Sequence, residues 1–216
     1  MPASIYPFLF HHVIFPSLDR VNGTRVSRVH RFLEKSQWLP IDRLLELQGG
    51  KLRSTLEWAE ANSGFYSDFW RDAPEERRAG SLHPALDGLP VVTKEDLRRH
   101  GGEFPLRAYR GRVMKVKTSG STGEPMIYYR SVEQESWFWA LRIRMWQWGG
   151  YVPGEPYLTL NLNPREAWKK RVQDVLFRCS YHGFNANSHD VNLVLRELVR
   201  KRVRHLIGYA SSLYLL

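Results

Sequence analysis

Strand-like and helix-like patterns alternate along the sequence after residue 110, and this alternation constrains the fold more than any other feature. The strand-like runs are GRVMKVK (111–117), MIYYR (126–130), YLTLNLN (157–163) and RVRHLIG (202–208). Helix-like stretches cover residues 131–148 and 165–180, a third begins at Asp190, and Ser211 or Ser212 opens a last one. This alternation predicts an α/β fold in which a mixed or parallel sheet is flanked by helices.

Helix boundaries are predicted from capping residues. Thr93 is expected to cap a helix that ends at Gly101. Ser131 and Gln134 form a capping-box pattern at the start of the helix 131–148. Two apolar stripes run along that helix, so it is expected to be largely buried, with its Trp residues in the core. The stripes are Phe138, Leu141, Met145 and Trp148, and then Trp139, Ile143 and Trp146.

The first part of the chain is expected to differ from the rest. Residues 1–50 are predicted to be a partly helical, irregular leader, broken at Pro16, Asn22-Gly23 and Gly49-Gly50. The pattern STLE predicts that Ser54 caps the next helix, which Gly64 interrupts.

Composition limits the environment and the ligands. The chain has 216 residues and a formal net charge of +10, which suits polyanions such as nucleotides, nucleic acid or anionic lipid. The single cysteine, Cys179, excludes an intrachain disulfide and indicates a reducing cytoplasm. The apolar segment IYPFLFHHVIFP (5–16) is too short to span a bilayer. It is interpreted as a docking arm in preference to an interfacial anchor.

The basic clusters and the histidines give no specific site. KKR (169–171) and RKRVRH (200–205) lie on or at the end of amphipathic helices, where basic residues form a solvated face. The histidines lack ligand spacing, so no metal site is predicted. No nucleic-acid recognition module is identified, although the net charge keeps nucleic-acid binding as a weaker alternative.

The loop between the first two strand-like runs has the composition of an anion site. Hydroxyls add donors without bulk, and glycines let backbone N–H groups converge on one point. The candidate binding residues are Thr118, Ser119, Gly120, Ser121, Thr122 and Gly123, with Lys115 and Lys117 just upstream. The loop fits neither a Walker loop, which needs G-x-x-x-x-G-K-[ST], nor a dinucleotide loop, which needs G-x-G-x-x-G before a helix.

The segment TSGSTGEP (118–125) resembles the phosphate loop of the adenylate-forming enzymes. Four segments of the chain occur in the order and spacing seen in the phenylacetate–CoA ligase-like branch, which includes CapK-like proteins of capsule biosynthesis. They are LEWAEANSGFYSDFW (56–70), LPVVTKEDLRRH (89–100), KTSGSTGEP (117–125) and IGYASSL (207–213). The resemblance covers the chain from about residue 50 to its end, and it implies that residues 51–216 are the N-terminal portion of an adenylation (AMP-binding) domain.

The resemblance also implies an activity. Such enzymes use ATP and Mg²⁺ to convert a carboxylic acid to an acyl-adenylate, and many then transfer the acyl group to coenzyme A. Residues 118–123 would hold the β- and γ-phosphates of ATP, whereas no catalytic residue is identified. Two departures stand out. Met126 and Ile127 follow the loop where many relatives carry a Lys, and YLTLNLNPREAW (157–168) argues against a pocket for an aryl acid.

The last residues, SSLYLL (211–216), read as a helix that stops after one turn. The chain is therefore expected to be the N-terminal part of a longer protein, inactive by itself. Its apolar surface would be covered by a missing C-terminal half or by another copy in a homo-oligomer. The alternative is a non-catalytic, truncated anion-binding module of the same fold.

Overall fold

The computed structural model describes residues 5–71, 91–100, 109–118, 126–161, 166–183 and 188–216. The chain divides into two compact units, one of residues 1–30 with 139–216 and one of residues 31–138. The described helices are α1 (Tyr6–Leu9), a π-helical turn (Phe10–Ile14), α2 (Phe15–Asn22), α3 (Val26–Ser36), α4 (Ile41–Asn62), α5 (Gly64–Phe69), α6 (Lys94–Arg99), α7 (Val132–Trp148), α8 (Ala167–Leu176), α9 (Ser188–Lys201) and α10 (Ala210–Tyr214). The strands are β1 (Val113–Lys117), β2 (Ile127–Ser131), β3 (Tyr157–Asn161), β4 (Cys179–Gly183) and β5 (His205–Ile207).

A three-stranded parallel sheet forms the centre of the first unit, in the order β4-β3-β5. Tyr157 of β3 pairs with Cys179 of β4 and with His205 of β5. The chain passes from β3 to β4 through α8, and from β4 to β5 through α9. The α/β fold with parallel strands and intervening helices, predicted from the alternating pattern, is therefore confirmed.

The core of this unit lies on the central strand. Leu158 and Leu160 are fully buried, and Val194 of α9 packs with them. The residues around this cluster are Val191, Leu198, Val203, Leu213 and Leu216. The terminal turn thus contributes two leucines to the core, whereas Tyr214 and Leu215 are exposed. The sequence reads this turn as a helix stub with apolar surface to be covered from outside the chain, but two of its four apolar residues pack within the chain.

The first 50 residues are more helical than the sequence predicts. One helical run covers residues 6–22 and does not break at Pro16, which lies in the first turn of α2. Proline cannot donate an i→i−4 hydrogen bond, and the π-helical turn directly before α2 accommodates the change of pattern. The break at Asn22-Gly23 is confirmed, because Gly23 ends α2 in the left-handed conformation at φ 68°.

Helix α4 contradicts two further predictions. It continues from Ile41 to Asn62, so Gly49-Gly50 does not break it and Ser54 lies within it. Because a helix is already running at Ser54, the N–H groups that follow bond within the helix and need no cap. The interruption at Gly64 is confirmed, although Ser63 is the residue that caps α5, with its hydroxyl accepting from the N–H of Tyr66.

Of three other predicted helix caps, one is confirmed and two are wrong. Thr93 caps α6 in a capping box with Asp96, as the sequence predicts for Thr93. Helix α9 begins at Ser188, so Asp190 does not cap it. Helix α10 follows Tyr209 and has no side-chain cap, which contradicts the role expected for Ser211 or Ser212.

Helix α7 ends before Gly149-Gly150 as predicted, but it is not largely buried. Its stripe of Phe138, Leu141, Met145 and Trp148 is exposed, whereas Trp139, Ile143 and Trp146 are half-buried. The buried residues of this helix are small, namely Ser136 and Ala140. Within the described part of the chain, no helix combines the length and hydropathy that a bilayer-spanning segment requires.

Candidate functional site

The predicted phosphate loop connects the two strands of a hairpin. Strands β1 and β2 pair antiparallel, from Val113 opposite Ser131 to Lys117 opposite Ile127. Both strands were predicted from their apolar and β-branched residues, and the structure confirms them. The connection covers residues 118–126, which is longer than a hairpin turn requires.

Thr118 and Met126 close this loop with two hydrogen bonds. The N–H of Thr118 donates to the carbonyl of Met126 at 2.9 Å. In return, the N–H of Met126 donates to the Thr118 hydroxyl oxygen, also at 2.9 Å. Thr118 therefore fixes the base of the loop through both its backbone and its side chain.

The other candidate residues lie outside the described part of the chain. These are Ser119, Gly120, Ser121, Thr122 and Gly123, and their proposed contacts with phosphate stay predictions. What the structure adds is the position of the loop: its ends lie side by side at the tip of a hydrogen-bonded hairpin.

Two lysines lie on the strand that enters the loop. Lys115 and Lys117 are exposed, and they lie opposite Tyr129 and Ile127. Residues directly opposite each other share a face of the hairpin, and side chains two apart on one strand share it too. One face of the hairpin therefore presents two ammonium groups near the loop, which favours an anionic ligand.

Arg130 on the neighbouring strand is already engaged. Its guanidinium forms an ion pair with Glu135 at 2.8 Å and lies 4.4 Å from the centre of the Phe138 ring. Both charged side chains are largely shielded from solvent. The sequence analysis missed this pair because Arg130 lies in a strand and Glu135 in a helix, so no helical spacing relates them. The pair attaches β2 to α7.

The junction between β2 and α7 is fixed by the predicted capping box. The Gln134 N–H donates to the Ser131 hydroxyl at 3.1 Å, and the Ser131 N–H donates to the Gln134 side-chain oxygen at 2.9 Å. Ser131 is also the last residue of β2. The hairpin is consequently joined to α7 without an intervening loop.

A groove lies elsewhere in the unit of residues 31–138. It has a volume of about 1070 Å³ and contains none of the predicted site residues. Its floor carries Phe32 and Trp137, whose rings meet edge to face. The Lys51 ammonium lies 3.6 Å from the centre of the Trp137 ring. Partial burial lowers the pKa of Lys51 below its ordinary value.

In open α/β folds, ligands bind at the carboxyl ends of the parallel strands. The parallel sheet of the other unit has such an edge. Gly208 follows β5 there and lies against β3, because a Cβ atom at this position would be 3.1 Å from the Leu160 Cβ. This close approach explains the glycine in the matched segment IGYASSL. Across the described residues, no group of three or more His, Cys, Asp or Glu side chains is arranged to hold a metal ion.

Comparison with known proteins gives a limited relationship. No protein-family model matches the chain. The chain is similar to Protein CapK from Staphylococcus aureus, with 22% identity over 123 residues. The matched region is 57% of this chain and 27% of CapK, so the chain spans about a quarter of the length of this curated relative. The match supports a CapK-like relationship for part of the chain.

Proposed function

We propose that residues 118–123 form the phosphate-binding loop of an ATP-dependent, carboxylate-activating enzyme of which this chain is a part. The observation that carries the proposal is the paired hydrogen bond between Thr118 and Met126. It closes a loop of hydroxyls and glycines at the tip of a hairpin, and one face of that hairpin carries Lys115 and Lys117.

The residues of the chain would act by binding and orienting phosphate. Gly120 and Gly123 let backbone N–H groups approach the phosphate oxygens, and the hydroxyls of Thr118, Ser119, Ser121 and Thr122 add donors. Donors fixed in advance are most effective where negative charge develops, which here is the departing pyrophosphate. Mg²⁺ suits the same site, since it is usually bound by substrate phosphates and water with few protein ligands.

The reaction follows from this assignment. The substrate carboxylate attacks the α-phosphate of ATP, an acyl-adenylate forms, and pyrophosphate leaves. Transfer to coenzyme A would follow when its thiol attacks the acyl carbonyl and AMP leaves. The similarity to CapK supports a member of a biosynthetic enzyme family, and the TSGSTGEP segment supports the adenylate-forming type.

Nucleotide binding by the 216-residue chain tests the proposal. We expect Mg-ATP to bind, and Gly123→Val to weaken binding roughly tenfold to a hundredfold, because a branched side chain blocks charge-assisted hydrogen bonds to phosphate. The matched control is Gly50→Val, where a Cβ atom meets nothing within 4 Å. Isothermal titration calorimetry measures the affinity of wild type and of both variants for Mg-ATP.

The outcomes separate the alternatives. Equal affinity of wild type and Gly123→Val for Mg-ATP would contradict the phosphate loop. A loss of affinity in Gly50→Val would instead place the nucleotide in the groove that Gly50 lines. If tripolyphosphate binds as tightly as Mg-ATP, the chain is an anion-binding module that does not recognise adenosine.

A further inference from the structure

The first helical run has an apolar side that faces solvent. We define the outer face as Ile5, Phe8, Leu9 and Val13, which are between 40% and 71% exposed. They follow the spacing i, i+3, i+4 and i+8, so they form one stripe along the helix. Four large apolar side chains in one exposed stripe indicate a surface that is covered in use.

The opposite side of the same helix is docked on its own unit. The Tyr6 hydroxyl donates to the carbonyl of Leu176 at 3.0 Å, and the Phe10 ring packs against Phe177. Gly154 packs so closely that a Cβ atom there would lie 2.8 Å from the Phe10 Cβ. The inner side therefore docks as expected of an arm, whereas the alternative of an interfacial anchor concerns the outer face. Because these contacts fix the helix, it cannot turn its outer face inward.

Charge is distributed unevenly along this segment. The sequence has no Asp, Glu, Lys or Arg from Ile5 to Leu18. Between residues 5 and 30 the single acidic residue is Asp19. It is buried, and its carboxylate accepts from the N–H groups of Val26 and Ser27. The arginines that follow it, Arg20, Arg25 and Arg28, are exposed.

An apolar stripe followed by exposed arginines fits an anionic lipid surface. Helices that lie in the bilayer interface bury apolar side chains at the boundary between headgroups and acyl chains, and their basic residues attract anionic lipids. A second copy of this chain fits poorly, because it would bring its own arginines and a net charge of +10 against the same charges.

We propose that the outer face inserts into the surface of an anionic bilayer, with Arg20, Arg25 and Arg28 contacting lipid headgroups. The helix lies on the membrane and does not span it. This inference is independent of the nucleotide site, since it rests on a different surface and a different ligand.

Vesicle sedimentation of the 216-residue chain tests the proposal. We expect binding to phosphatidylcholine vesicles that contain phosphatidylglycerol, and much weaker binding to pure phosphatidylcholine. Replacing Phe8 and Val13 together by Ser is expected to reduce binding about tenfold or more, since buried apolar area sets the affinity. The matched control is Val199→Ser, which changes an 80% exposed valine on α9. It should bind as wild type does.

A second measurement does not depend on losing binding. A polarity-sensitive dye on Val13→Cys should shift to the blue when phosphatidylglycerol vesicles are added, and Cys179 is buried and therefore protected from labelling. Replacing Arg20 and Arg28 by Gln should weaken binding and reduce its salt dependence. The proposal is overturned if wild type does not bind, if the Phe8/Val13 double variant binds equally, or if light scattering shows that the outer face pairs two copies instead.

Discussion

The central strand of the parallel sheet, YLTLN, and the second strand of the hairpin, IYYRS, have similar apolar and aromatic content but different surroundings. Leu158 and Leu160 of β3 are fully buried, whereas Ile127, Tyr128 and Tyr129 of β2 are 40–48% exposed. Strand β3 has a partner on both edges and α9 against it, whereas β2 has one partner strand among the described residues. Apolar and aromatic content therefore identifies a strand but does not tell whether it is buried.

The difference shows that the sheet contributes stability, whereas the hairpin is accessible to ligands. The sheet is stabilised by buried apolar area, which excludes water and ligands. The hairpin is held instead by polar contacts: its backbone ladder, the Arg130–Glu135 ion pair, and the hydrogen bonds at Thr118–Met126 and Ser131–Gln134. A surface strand of this kind can present a loop to a ligand, and it should be more sensitive to the loss of a hydrogen bond than to the loss of an apolar side chain.

The largest expected effect is from Leu158→Ala. Truncating a fully buried leucine leaves a cavity, and the free energy of unfolding should fall by about 2–5 kcal/mol. Chemical denaturation measures the change. The control is Ile127→Ala in β2, which should cost less than about 1 kcal/mol because the side chain is half exposed. Similar losses for both variants would show that the hairpin is as well packed as the sheet.

Gly208→Val tests how closely the residue after β5 packs against Leu160 of β3. A Cβ atom at this position meets the Leu160 Cβ at 3.1 Å and its carbonyl oxygen at 3.2 Å, so these neighbours must move by a few tenths of an ångström. We expect a loss of about 1–3 kcal/mol in the free energy of unfolding. Thermal unfolding compares it with Gly50→Val, where the space is open and the change should stay within about 0.5 kcal/mol.

Ser131→Ala tests the junction between the hairpin and α7. It removes the cap that accepts from the Gln134 N–H, and we expect the free energy of unfolding to fall by about 1 kcal/mol. Ser131→Asp keeps an acceptor at the helix start and should restore most of the stability. Circular dichroism during denaturation measures both. If Ser131→Asp is as unstable as Ser131→Ala, the cap is not the stabilising interaction.

Thr118→Val gives the smallest effect on global stability. It keeps the shape of the side chain but removes the acceptor for the Met126 N–H, at a cost of about 0.5–1.5 kcal/mol confined to the hairpin end. Hydrogen exchange of the Met126 amide should become faster, whereas Thr118→Ser should leave it protected. Unchanged exchange in Thr118→Val would mean that the backbone bond from Thr118 closes the loop by itself.

The sequence predicts features that local chemistry determines. Four of the five strands, the caps at Thr93 and Ser131 and the parallel pairing follow from spacing, capping residues or alternation. Strand β4 is missed, because the pattern assigns Cys179 and Ser180 to the end of a helix over residues 165–180, whereas that helix ends at Leu176.

Two failures concern surroundings: a helix is already running at Ser54, and the stripe on α7 is exposed. The caps expected at Asp190 and at Ser211 or Ser212 fail because those helices begin earlier in the chain. At the candidate site, the sequence identifies Thr118 and the hairpin, but its reciprocal bonds with Met126 require the coordinates.

The contacts of the first helix also determine how late during synthesis this helix can dock. Tyr6 and Phe10 dock on residues 176 and 177 and on Gly154, and the partner of Tyr6 is made 170 residues later. At roughly 5–20 residues per second, the ribosome needs on the order of ten seconds to produce them. Throughout that interval the apolar side chains on both sides of the helix lack these partners, so we expect the nascent helix to need protection from aggregation.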